Sequence, residues 1–104
     1  MKLPSIHLNG TSREALVKQM ADVVHALDEA LTKVGYATPH GRDYYVQGNG
    51  EAYPPAYQEA VKEHEDRLKR LLALRNEYEA LGLAIQDLPG YDRRRDGSLR
   101  SDHA

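Results

Sequence analysis

The sequence contains no cysteine, no tryptophan and no phenylalanine among its 104 residues. Without cysteine there is no disulfide scaffold, no thiol nucleophile and no thiolate zinc site, and the composition suits a reducing compartment. Seven tyrosines supply every aromatic ring. Apolar residues make up only 40% of the chain, and no run approaches the roughly 18 apolar residues of a membrane span. The start lacks the charged and apolar regions of a secretory signal. A dominant charge is missing too. With 14 basic and 16 acidic side chains the net charge is −2, which argues against a general nucleic-acid binder. The length allows one domain.

Four segments remain once these classes are set aside. Residues 1–10 read as extended and end in a turn at Asn9-Gly10, a pair that favours positive φ. Residues 11–35 read as a helix, with Thr11 and Glu14 at the capping-box spacing. Leu16, Met20, Val23, Val24, Leu27, Leu31 and Val34 follow at helical spacing and mark one apolar face. Gly35 is the expected stop. Residues 36–54 hold four Tyr, three Gly and two Pro, too many breakers for a helix, and a short strand or hairpin is expected around Asp43–Gln47. Pro54-Pro55 opens a second helix, since proline is well tolerated at the first helical position, and that helix is expected over about 55–81 and on to Gln86 if Gly82 is absorbed. Its stripe is read as Tyr57, Ala60, Val61, His64, Leu68, Leu71, Leu72, Leu74, Tyr78 and Leu81, continued by Ile85. Residues 89–104 carry four Arg and three Asp with little apolar content, so a disordered charged tail is expected after a helical domain over 1–88. The fold expectation is mainly α: a helical hairpin of two long helices with a Tyr/Gly-rich connector. Two helices make a small core. With no cysteine or metal cluster to staple it, self-association is the expected device.

Three groups of residues are candidates for binding. Asn9, Thr11 and Ser12 sit at a helix start, where free N–H groups and the macrodipole favour a phosphate or carboxylate; the plain alternative is an ordinary turn and cap. Arg42, Tyr44 and Tyr45 lie in the connector beside His40, Gly41 and Asp43. Arginine offers a planar fork for phosphate and tyrosine a stacking ring, although one of the two Tyr is needed by the core. His64 and Arg67 are i,i+3 neighbours on the second helix, and His64 stands where a Leu would complete the stripe. Buried, it needs hydrogen bonds, expected from the Asn9–Ser12 turn or the Arg42–Tyr45 loop. The alternative to a polar pocket floored by His64 and Arg67 is a satisfied core histidine. His7, His25, His40, His64 and His103 are scattered, so no metal site and no cofactor is expected. No catalytic set is visible either. The acidic and basic residues around Glu63–Arg67 read as a solvated face.

His7 to Ser12 (His-Leu-Asn-Gly-Thr-Ser), Pro39 to Tyr45 (Pro-His-Gly-Arg-Asp-Tyr-Tyr) and Glu63 to Arg67 (Glu-His-x-x-Arg) together resemble small uncharacterised proteins of bacteriophage and prophage genomes. The likeness spans residues 6 to about 86 and leaves out the tail. In size and expected helical, oligomeric form the chain is also similar to phage proteins that capture nucleotide immune signals, an analogy of fold alone. The resemblance implies a phage accessory protein in the host cytoplasm. The foremost expectation is a non-enzymatic binder of a small anionic ligand of nucleotide type, serving counter-defence. The alternative is a helical interaction module that inhibits or scaffolds a host or virion protein, and a small hydrolase ranks last.

Overall fold

The computed structural model describes residues 1–48 and 54–90. It is mainly helical, with α1 over Arg13–Tyr36, 3-10 turns over Gly41–Asp43 and Tyr45–Gly48, and α2 over Pro55–Gln86. The described residues form no strand; an isolated bridge joins Ile6 to Gly90. No helix among them is long and apolar enough to cross a membrane.

The start of α1 falls one residue later than its capping-box spacing suggests. Ser12, not Thr11, is the cap: its hydroxyl accepts from the Ala15 N–H at 3.2 Å, and its carbonyl accepts from Leu16 N–H at 3.0 Å. Serine is the better capping residue of the two. Starting there also places Arg13 in the first turn, where its Nη2 donates to the Leu88 carbonyl at 2.6 Å. Gly35 does not stop the helix. It avoids the left-handed conformation, and α1 runs through Tyr36. The end is made by a tightened turn, with Ala37 N–H on the Val34 carbonyl and Thr38 N–H on that of Gly35, followed by Pro39, which disfavours helical backbone at its predecessor.

The connector also departs from the expected strand. Its described part includes two consecutive 3-10 turns, the first capped by His40, whose Nδ1 accepts from the Arg42 N–H at 3.2 Å. Local side-chain capping of this kind competes directly with extended pairing. The turn signal at Gly48-Asn49-Gly50 runs into residues outside those described.

Pro55 occupies the first position of α2, and the Pro54 carbonyl takes the N–H groups of Tyr57 and Gln58. Gly82 is absorbed, and α2 continues to Gln86. Its inward residues are Tyr57, Val61, His64, Leu68, Leu71, Arg75, Tyr78, Gly82 and Ile85, all buried or half-buried. These alternate in steps of four and three, the repeat of a helix packed along one neighbour. Leu72 and Leu74, expected on the stripe, are exposed. Arg75 takes the inward place instead. Its aliphatic stem packs while Nε reaches Asp28 Oδ1 at 3.0 Å.

Two compact units divide the chain, Met1–Val24 with Glu77–Ala104, and His25–Asn76. In the first, Arg13 meets Leu88 and Met20 lies against Gly82; in the second, Asp28 meets Arg75 and Thr38 meets His64. Within each unit α1 and α2 therefore run antiparallel, the local geometry of a helical hairpin. Pro89 and Gly90, expected to open the tail, are among the described residues, and Gly90 bridges Ile6. The rest of the expected tail, residues 91–104, lies outside those described. Burial is sparse. Ile6, Pro54, His64 and Ile85 are the buried positions among the described residues, and α1 contributes none.

Candidate functional site

In the first unit the Gly10 N–H donates to the His7 carbonyl at 3.1 Å, closing a turn that leaves Asn9, Thr11 and Ser12 exposed. The Ser12 hydroxyl is already engaged as the cap. Gly10 serves its neighbour rather than a ligand: a Cβ there would lie 2.7 Å from His7 Nε2, so the missing side chain makes room for the imidazole. Arg13, which follows, has an Nε that is buried without a hydrogen-bond partner.

Arg42, Tyr44, Tyr45, His64 and Arg67 belong to the second unit. Tyr44 turns inward against Tyr57, with ring centroids 5.9 Å apart and planes inclined at 43°. Tyr45 faces outward and is 51% exposed, next to Val46 at 73%. The core therefore takes one tyrosine of the pair, as its lack of Phe and Trp requires. Arg42 is exposed, and its guanidinium has neither hydrogen bond nor ion pair among the described residues.

His64 is 7% exposed. Its partner is neither of the expected segments but Thr38, whose Oγ1 stands 3.3 Å from Nε2. The Thr38 hydroxyl donates its proton to the Gly35 carbonyl at 2.7 Å, so Oγ1 can accept from Nε2–H. A relay from α2 through Thr38 to the last turn of α1 gives Nε2 its partner and anchors the helix end. Arg67, three residues on, points away. Its side chain is 60% exposed and 3.6 Å from Glu63. It shares a shallow, open depression on the outer face of α2 with Lys62, Glu63, Asp66 and Arg70. Arg70 pairs with Asp66 at 2.9 Å. This is the solvated charged face that the sequence suggests. Ion pairs so exposed contribute little to stability.

The eight candidate residues thus divide between the units, three in one and five in the other. Of the five, Tyr44 and His64 are spent on the core. The described residues contain no group of three or more His, Asp or Glu placed to hold a metal. Thr38, Arg13 and the Asp28–Arg75 pair are the polar positions that sequence reasoning missed. A threonine just before the Pro that ends a helix was the available signal for Thr38. Nothing local marks Arg75 as an inward residue beyond its place in the four–three repeat.

No family model, curated protein or solved structure matches the chain.

Proposed function

We propose that the chain is a non-enzymatic helical interaction module that offers the apolar stripe of α1 to another polypeptide. The observation that carries this reading is on α1 itself: Leu16, Val17, Met20, Val23, Val24, Leu27, Ala30, Leu31 and Val34 are all half-buried and none is fully buried. A stripe this regular, covered only in part by its own chain, suits helix-in-groove or helix-on-helix recognition. Inhibition or scaffolding of a host or virion protein is the biological role we assign to it, in line with the phage resemblance.

Changing Val17 and Leu31 together to Gln tests the module. In the chain diluted to a single copy, the double variant is expected to stay helical and to lose no more than about 1 kcal/mol, as at surface positions. A loss of several kcal/mol, in the range of about 2–5 for each truncated core aliphatic, would show the stripe to be core and overturn the reading.

Arg42 supports a second reading, capture of a small anion such as a nucleotide. Its guanidinium is unengaged among the described residues and lies close in sequence to the exposed Tyr45 ring, on a connector braced by two 3-10 turns. Calorimetric titration with mono-, di- and cyclic nucleotides is the check. Binding by the wild type and a ten- to hundredfold weaker binding by Arg42→Ala is expected, since a charge-assisted hydrogen bond contributes about 1.5–3 kcal/mol. The melting temperature should not change. A wild-type chain that binds none of these ligands ends the nucleotide reading.

A further inference from the structure

Three asparagines occur in the chain, and two of them, Asn9 and Asn49, precede a glycine. Asn9-Gly10 is the pair among the described residues. Such a pair is chemically labile. The backbone nitrogen of the following residue can attack the side-chain amide carbon, and glycine has no side chain to block the approach. Asn76 precedes Glu77 inside α2, where the helical backbone keeps that nitrogen hydrogen-bonded. Asn9 is exposed, in a turn where the Gly10 N–H donates to the His7 carbonyl at 3.1 Å. This N–H is the one an attack on Asn9 needs free. Glycine is also fixed at position 10, because a Cβ would lie 2.7 Å from His7 Nε2 and 3.1 Å from Cε1. The fold therefore keeps the labile pair.

We propose that Asn9 is a site of spontaneous deamidation in the folded chain, reached by opening of the His7–Gly10 turn alone. The Gly10 nitrogen bonds to Asn9 Cγ and gives up its proton as the Cγ–Nδ2 bond breaks, so ammonia leaves and a succinimide ring remains. Water then adds to one of the two ring carbonyls, the bond from that carbonyl to the Gly10 nitrogen breaks, and the nitrogen regains its proton. Attack at Cγ gives aspartate at position 9. Attack at the main-chain carbonyl gives isoaspartate, in which the chain runs on through the former side chain and gains one backbone carbon. Water is the co-reactant, and nothing is oxidised or reduced.

Opening this turn costs little. Residues 7–12 are all exposed, and segments whose backbone hydrogen bonds face solvent open at free energies far below that of global unfolding. Ile6, which is buried, and Arg13, bonded to the Leu88 carbonyl, hold the chain on either side, so the opening is confined to the residues between them. Either product adds a negative charge beside Thr11 and Ser12. That charge is compatible with the positive end of the α1 macrodipole, so the helix is retained. It also repels any phosphate or carboxylate that the Asn9–Ser12 stretch would otherwise attract.

The tryptic peptide Leu3–Arg13 carries Asn9 and no other asparagine, so peptide mass spectrometry reads the conversion directly. The full chain is held at neutral pH and body temperature in heavy-oxygen water, which marks conversion before digestion. A synthetic Leu3–Arg13 peptide, in which the turn is not fixed, is held alongside. Conversion in the folded chain is expected to be slower by about two- to twelvefold, the worth of one net hydrogen bond. Hydrogen exchange at the Gly10 N–H should be slowed by the same factor, since both need the same opening. Urea below the unfolding transition should leave the rate unchanged, whereas the unfolded fraction climbs steeply with denaturant. A chain that shows no conversion while the peptide converts fully overturns the proposal. Conversion as fast as in the peptide overturns the gating by the turn, and a rate that climbs with urea in step with unfolding shows that global unfolding is the gate instead.

Discussion

Ile85→Ala is expected to lower the melting temperature by about 12–24 °C. Ile85 is, with Pro54, one of the two fully buried side chains among the described residues, 2% exposed, and it stands in the last turn of α2. Removing its outer carbons loses transfer free energy and leaves a cavity, together about 2–5 kcal/mol. At about 3 kcal/mol, and 4–8 °C per kcal/mol for a domain of this size, the shift follows. So large a share of a small domain's stability would leave a measurable unfolded fraction at 37 °C. Thermal unfolding followed by circular dichroism is the measurement. A loss below 1 kcal/mol would mean that the final turn of α2 frays and is not part of the cooperative unit.

Gly82→Leu should be the second most damaging change, and Gly35→Ala its mirror image. Both glycines lie within helices, Gly82 inside α2 and Gly35 in the last turn of α1; in a helix interior glycine forfeits about 0.8–1 kcal/mol relative to Ala. Their surroundings differ. A Cβ on Gly35 meets nothing within 4 Å, so Gly35→Ala is expected to stabilise by about 0.5–1 kcal/mol. A Cβ on Gly82 comes within 3.2 Å of Met20 Cβ, an atom too near the backbone to swing away. Leucine there must push α1 and α2 apart in that unit, at a cost of about 1–3 kcal/mol or more for overpacking. Parallel denaturant titrations of the two variants check the pair. A Gly82→Leu chain as stable as the wild type would show that the helices do not approach closely at that point.

The sequence alone determined the two helices and the broad apolar side of each. Apolar residues at steps of three and four are a property of the 3.6-residue turn, so the stripes of α1 and α2 were legible before any contact was known. The second helix start was legible too, because Pro55 imposes it through a fixed φ. The tertiary structure decided the choices between residues of equal local merit. Thr11 and Ser12 can both cap α1; Ser12 does, with Arg13 placed to reach the Leu88 carbonyl. Leu72, Leu74 and Arg75 compete for one inward place, and the repeat set by the facing helix admits Arg75 because Asp28 can meet it. His64 reads as a misfit in an apolar stripe, and its meaning came from Thr38, 26 residues away in the chain. Gly82 reads as a helix breaker and serves as the close approach to Met20. In each case periodicity specifies a face, whereas the partner across the gap selects which side chain on that face is satisfied.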